Sequence, residues 1–299
     1  AFDSHAIASM LWAFGKMGHW PGDELYAALE RQAVVKMAGF TPAGIANVIW
    51  ACSKLGQRPG GNLLAALEKQ AVAKIGDFCP QAIAHTVWGF ATFGYQPGRD
   101  LLAAFERKTV ATPAGGFTPQ NLANTLWGYA KLGQRPGREM LAALERQAMA
   151  QIGRIAPMDV STMIWAYAVL GERPGGKLLA ALEKRAVEEI DQFVPKSIAN
   201  TLWGYAVLGV VPGEELREGL MDGAYECLQD MSSEMSSDAN NVTQLHQFLL
   251  FLEIECGQEN APDVASLRTG LGDVGLAAVG HAAGAEHAPA TLRQGVDQA

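Results

Sequence analysis

The chain has 299 residues, of which 49% are hydrophobic, and a formal net charge of -8 at pH 7. No apolar run approaches the ~18 residues that a membrane-spanning helix needs. The four cysteines form no C-x-x-C pair, which argues against a disulfide framework or a zinc site. Residues 1–222 carry 21 basic and 20 acidic side chains, whereas residues 223–299 carry 2 and 11. The near-neutral charge of residues 1–222 therefore neither excludes nor indicates a nucleic-acid partner.

A period of about 38 residues runs through residues 1–222 and predicts a helical solenoid. Each repeat contains a tryptophan, a glycine six residues later and then a Pro-Gly pair, and five repeats also carry a proline eight residues before the tryptophan. Because the chain opens inside a repeat, we expect further repeats before Ala1 in the parent protein. The six tryptophans that mark the repeats are Trp12, Trp50, Trp88, Trp127, Trp165 and Trp203.

Each repeat encodes two helices joined by a turn. Thr41 and Thr118 are predicted N-caps, and the proline that follows each of them suits the first helical position. The first helix passes through the tryptophan and ends at the glycine, which can adopt the left-handed C-cap conformation. Pro-Gly then turns the chain into a second helix. We predict an all-α, right-handed α-solenoid of about six helix-turn-helix repeats over residues 1–222. A polar insertion and a capping helix follow over residues 223–260, and a disordered, acidic, Gly/Ala-rich tail covers residues 261–299.

The first helix of each repeat has a distinct apolar side. At ~100° per residue, the positions five and one before the tryptophan share an apolar arc, and small residues four before and three after it allow close helix packing. We predict that the tryptophans also lie in the core. In the second helix, a glutamate precedes a basic residue in five repeats, which we interpret as solvent-facing side chains or as weak ion pairs between repeats. These pairs are Glu30-Arg31, Glu68-Lys69, Glu106-Arg107, Glu145-Arg146 and Glu183-Lys184.

A column of polar residues changes identity from repeat to repeat, three positions before each tryptophan. Its side chains are short and uncharged at neutral pH and could pair with base edges, while nearby lysines could hold phosphates. A solvated outer face is the alternative, although such a face would more often carry Glu, Lys or Arg. The RNA-binding candidates are Ser9, Asn47, His85, Asn124, Thr162 and Asn200 at position -3, His5, Gln81, Gln120 and Lys196 at position -7, and Lys16, Lys54 and Lys131 at position +4.

The segment "FTPQNLANTLWGYAKLG" resembles the octotricopeptide repeats of algal organellar proteins. It is also similar to repeats of RAP-domain proteins and of kinetoplastid RNA-editing substrate-binding complex subunits. The resemblance covers residues 2–222 and implies RNA binding in a mitochondrion or chloroplast, in RNA stabilisation, processing, editing or translation. No RAP domain follows residue 260, so a nuclease-like activity has no support. Met158, Val169 and Val207 leave the later repeats poor in polar or basic groups.

The sequence contains no P-loop, no G-x-S-x-G and no H-E-x-x-H, and its histidines lack metal-ligand spacing. We therefore expect no enzymatic activity, metal, cofactor or small-molecule substrate. We expect a soluble protein, and the resemblance implies that it is organellar; two hypotheses remain for its function. One is sequence-selective binding of single-stranded RNA, and the other is a protein-interaction scaffold in a larger organellar ribonucleoprotein assembly. The near-neutral charge of residues 1–222 favours the scaffold hypothesis, whereas the polar column and the resemblance favour RNA binding. We adopt the RNA-binding hypothesis and keep protein partners as possible.

Overall fold

A computed structural model describes residues 2–229, 238–255, 266–269 and 271. These residues form helices and loops without any strand, which confirms the all-α prediction for the described part of the chain. Residues 230–237, which hold most of the predicted polar insertion, lie outside the described residues, and so does most of the predicted tail over 261–299. The helices are α1 Ser4–Met17, α2 Asp23–Val35, α3 Pro42–Lys54, α4 Gly61–Ala73, α5 Pro80–Phe93, α6 Arg99–Ala111, α7 Pro119–Lys131, α8 Arg138–Ala150, α9 Pro157–Leu170, α10 Gly176–Glu188, α11 Pro195–Leu208, α12 Glu214–Gln229 and α13 Ala239–Leu250.

Local signals start and stop the helices where the sequence predicts. The hydroxyl of Thr41 accepts a hydrogen bond from the Gly44 amide at 3.1 Å, and that of Thr118 accepts one from the Asn121 amide at 3.2 Å. A proline follows each cap at the first helical position, where its missing N–H leaves no bond unmade. The glycine that ends each first helix has a φ between +63° and +66°, a conformation that other residues adopt only with strain. These glycines are Gly18, Gly56, Gly94, Gly133, Gly171 and Gly209.

The chain divides into two compact bodies, residues 1–151 (the N-terminal body) and residues 152–299 (the C-terminal body). We call α1, α3, α5, α7, α9 and α11 the Trp helices and α2, α4, α6, α8, α10 and α12 the partner helices. In the N-terminal body the Trp helices pack in chain order against one another, and the partner helices form a second layer. In the C-terminal body α9, α11 and α13 pack in the same way, with α10 beside α12. The helix-pair repeat predicted from the sequence is therefore confirmed in each body.

The core lies on the predicted apolar arc of the Trp helices. All residues at positions -5 and -1 are at most 3% exposed. Small residues keep neighbouring Trp helices close, since a Cβ placed on Gly128 would lie 2.5 Å from Val87 Cγ1, and one on Gly204 would lie 2.6 Å from Ile164 Cγ2. The buried residues of the arc are Ile7, Leu11, Ile45, Ile49, Ile83, Val87, Leu122, Leu126, Val160, Ile164, Ile198 and Leu202.

Four of the five paired glutamates in the partner helices link one repeat to the next, which corrects their interpretation from the sequence. The Glu68 carboxylate, for example, accepts a hydrogen bond from the Gly98 amide at 2.7 Å, and Gly98 directly precedes α6. The Gly98 amide has no acceptor within α6, and the Glu68 carboxylate supplies one. The carboxylate also lies at the positive end of the dipole of α6. These glutamates are not free solvent-facing side chains, although their basic neighbours are exposed. The equivalent bonds are Glu30 to Gly60 at 2.8 Å, Glu106 to Gly137 at 3.1 Å and Glu183 to Gly213 at 2.9 Å.

The predicted capping helix corresponds to α13, which packs against α11 and continues into a π-helical turn over Phe251–Glu255. Helix α12 extends to Gln229, beyond the end of the repeat array predicted at residue 222. Residues 266–269 are helical, and Arg268 is paired with Glu253. Among the described residues, no helix combines the length and the apolar character that crossing a membrane requires.

Candidate nucleic-acid interface

The candidate side chains lie along one face of each Trp helix. Positions -7, -3, 0 and +4 are separated by three or four residues, so they line up one above the other on a helix. Apart from Trp203, every residue at these positions is exposed or partly buried. We call this face the Trp stripe. It brings together, within each repeat, the RNA-binding candidates that the sequence predicts at -7, -3 and +4.

The repeat tryptophans differ in burial, and most of them are not fully in the core. Trp12 is 42% exposed, whereas Trp203 is only 5% exposed, and Trp50, Trp88, Trp127 and Trp165 are partly buried. The core prediction is therefore wrong for Trp12 and fits fully only Trp203. At ~100° per residue, the tryptophan lies within about 60° of position -3 and so on the border between the stripe and the small-residue arc. Periodicity alone could not assign that border to the core.

The outer candidates of the stripe are all accessible. The four polar residues predicted at position -7 are exposed, and so are Ser9 and the three lysines at position +4. The exposed set comprises His5, Ser9, Gln81, Gln120, Lys196, Lys16, Lys54 and Lys131. These side chains can reach a ligand without any rearrangement of the fold.

The other residues at position -3 are partly buried and differ in their hydrogen bonds. Within the described part of the chain, the amides of Asn47 and Asn124 make no hydrogen bond to protein, so each offers donors and an acceptor on the stripe. The Thr162 hydroxyl instead donates to the Met158 carbonyl at 2.7 Å. The Asn200 Oδ1 accepts from Gln244 Nε2 at 3.0 Å. Their hydrogen bonds thus separate Thr162 and Asn200 from Asn47 and Asn124.

Aromatic rings and a lysine follow the stripe of the N-terminal body. The ring centroids of Trp50 and His85 are 6.2 Å apart with an interplanar angle of 27°, and those of Trp88 and Trp127 are 6.1 Å apart. Lys54 Nζ lies 5.9 Å from the Trp50 centroid and 5.4 Å from that of Trp88, within cation–π range. Burial lowers the pKa of His85, so its imidazole is neutral at physiological pH and carries one donor and one acceptor.

Two hydrogen-bond partners of stripe residues were not predicted from the sequence. Gln244 and Gln247 on α13 follow Asn200 and Trp203 by 44 residues each, so α13 takes the place of a seventh Trp helix. The indole N–H of Trp203 donates to Gln247 Oε1 at 2.5 Å in a buried contact. The signal was hidden because the spacing is 44 rather than 38 residues and because glutamine stands where the other repeats have tryptophan.

The two bodies present stripes of different chemistry. Residues 1–151 contain 14 basic and 10 acidic side chains, a net charge of +4, and their stripe includes three lysines. Residues 152–222 contain 7 basic and 10 acidic side chains, a net charge of -3. In that segment Val169 and Val207 occupy the lysine position, and Met158 is 51% exposed. The N-terminal body is therefore the one whose charge suits a polyanion.

Residues 45–282 match the family model of the RNA-editing substrate-binding complex 6 protein. The match covers about four fifths of the chain, from α3 onward, and includes Asn47, Asn124 and Gln244. No curated protein matches the chain.

Proposed function

The chain belongs to the RNA-editing substrate-binding complex 6 protein family, and we propose that it binds single-stranded RNA through the Trp stripe of its N-terminal body. One observation carries this proposal. The unengaged amides of Asn47 and Asn124 share a stripe with exposed lysines, on the body whose net charge is positive. Amides and lysines in this arrangement supply the two kinds of contact that RNA recognition uses, to base edges and to phosphates.

The asparagines would supply base selectivity, and the lysines would supply affinity. An asparagine amide donates and accepts at once, so it discriminates between base edges, as one residue per repeat facing one base. Lys54 and Lys131 lie on the same face and would neutralise phosphates, which adds affinity without sequence preference. We propose that the chain is a binder rather than an enzyme, with any reaction on the RNA supplied by partner subunits.

The cellular setting is part of the proposal. Among the organellar roles that the resemblance implies, membership of the family favours RNA editing over RNA stabilisation or translation. It also favours the mitochondrion and gives the chloroplast no support. A closer relation to octotricopeptide or RAP-domain proteins rests on the repeat motif alone.

The experiment that tests RNA binding compares base preferences. We would select single-stranded RNAs from a random pool at low salt with the wild-type protein, with a variant carrying Asn47→Ala and Asn124→Ala, and with Asn200→Ala. The double variant is expected to lose preference at two positions, by about 1–3 kcal/mol each. Asn200→Ala is the matched control because Gln244 already engages Asn200. Unchanged preferences in a folded double variant, or no RNA binding by the wild type, would contradict the proposal.

A second candidate function belongs to the C-terminal body. Its stripe carries Met158, Val169 and Val207 where most other repeats have polar or basic residues. We propose that this face packs against an amphipathic helix of another subunit of the family's complex. Met158→Glu is expected to remove the chain from the assembled complex while leaving its RNA affinity unchanged. Retention of the variant in the complex would count against the scaffold role.

A further inference from the structure

Four aromatic side chains lie along the Trp stripe of the N-terminal body, and we call them together the aromatic strip. It consists of Trp50, His85, Trp88 and Trp127. The strip contains the close ring pairs Trp50–His85 and Trp88–Trp127, and the Lys54 ammonium lies over both Trp50 and Trp88. All four rings are partly exposed to solvent.

Core packing does not account for the strip. The apolar arc of α3, α5 and α7 consists of aliphatic residues that are inaccessible to solvent, such as Ile49, Val87 and Leu126. The tryptophans lie beside that arc, at its solvent border, and each leaves part of a large apolar ring in water. A ring surface that is repeated in this way over several repeats is typical of a binding surface rather than of a folding core.

The C-terminal body shows what happens when such a tryptophan is covered. Trp203 is 5% exposed beneath α13, and its indole N–H donates to Gln247. In contrast, within the described residues, no hydrogen bond to protein satisfies the indole N–H groups of Trp50, Trp88 and Trp127. A ligand on the aromatic strip would therefore have to supply both an apolar surface and hydrogen-bond acceptors.

The groups around the strip decide which ligand fits. The Lys54 ammonium favours a negatively charged ligand, and the unengaged amides of Asn47 and Asn124 favour one with donors and acceptors at its edges. An unpaired nucleotide combines a flat ring, polar edges and a phosphate. An apolar peptide helix offers none of these polar groups to Lys54. The chemistry therefore matches RNA bases better than a protein segment.

We propose that the aromatic strip stacks the unpaired bases of single-stranded RNA, with Trp88 at its centre and Lys54 beside the phosphates. This inference rests on the proposed function and assigns the tryptophans a role in it. The tryptophans supply affinity that is independent of sequence, because every base has a ring face, and the asparagines supply selectivity.

The test compares two probes on matched variants. The probes are a short oligouridylate and an abasic ribose-phosphate oligomer of the same length, and fluorescence anisotropy gives the two Kd values. We expect Trp88→Leu to weaken oligouridylate binding roughly 5- to 150-fold, to change abasic binding little, and Trp88→Phe to restore most of the affinity. Trp20→Leu is the control, because Trp20 lies off the stripe, packs on Tyr26 and bonds to Asp23.

A second measurement needs no variant. Photocrosslinking of 5-iodouridine RNA to the wild-type protein is expected to map to Trp50, Trp88 or Trp127. If RNA binds but Trp88→Leu matches the wild type and the crosslinks map elsewhere, the stacking role is overturned while the proposed function stands. If neither probe binds the folded wild-type protein, both are overturned.

Discussion

Removal of the Glu68 carboxylate should destabilise the contact between two repeats by a measurable amount. Glu68 accepts hydrogen bonds from the Gly98 amide at 2.7 Å and from the Tyr95 hydroxyl at 2.8 Å. A hydrogen bond to a charged group contributes about 1.5–3 kcal/mol, and solvent exposure at Gly98 places that bond at or below the low end. Glu68→Ala removes both bonds and the charge at the start of α6. We expect the free energy of unfolding to fall by about 2–3 kcal/mol.

The assay is urea unfolding followed by far-UV circular dichroism. Lys69→Ala is the matched control, since Lys69 is the adjacent, exposed residue of α4 and its replacement should change stability by no more than about 0.5 kcal/mol. Glu68→Gln should fall between the two, because it keeps an acceptor but loses the charge. If Glu68→Ala unfolds at the same urea concentration as Lys69→Ala, the carboxylate does not join the repeats as described.

Three further predictions concern packing, the capping helix and pH. Gly128→Ala should destabilise the protein by about 1–3 kcal/mol in urea unfolding, because its Cβ would lie 2.5 Å from Val87 Cγ1, whereas Gly76→Ala, in open space, should not. Gln247→Leu should destabilise the protein by about 1–3 kcal/mol, because it leaves the indole N–H of Trp203 buried without an acceptor, and calorimetry with Gln244→Leu as the comparison would measure this. Burial and the bond to Glu68 raise the pKa of Tyr95 to about 12, from an ordinary value of 10.0. The folded state therefore holds this proton more tightly than the unfolded chain. The contribution of this proton to the free energy of unfolding is intact below about pH 10 and is lost as the pH rises towards 12. Phenolate absorbance and circular dichroism, followed together, would show this as coupled ionisation and unfolding.

Features with a local cause could be predicted from the sequence. The Thr41 and Thr118 caps, the prolines after them and the left-handed glycines each follow from the conformational preferences of one or two residues. The repeat boundaries followed from the same residues at fixed intervals, and the apolar arc followed from helical periodicity.

Features that depend on a neighbouring repeat could not be predicted in this way. A helical wheel gives the direction in which Trp88 points but not whether the next helix covers it. At this position of the repeat, Trp12 is exposed whereas Trp203 is buried. Glu68 finds its partner 30 residues later, in a backbone amide that no side-chain pattern reveals. For the candidate site, the sequence proposed a face that is accessible in the structure, but only the structure distinguishes the unengaged Asn47 from the engaged Asn200.

The salt dependence of RNA affinity tests the central claim most directly. Wild-type protein and a variant with Lys16, Lys54 and Lys131 all changed to Gln would be titrated with single-stranded RNA over a range of salt concentrations. Three phosphate contacts predict that the logarithm of the wild-type association constant falls with the logarithm of salt with a slope of about -2, and that the variant is weaker with a slope near zero. No binding by the folded wild type at low salt, or the same slope in both proteins, would contradict RNA binding by this stripe.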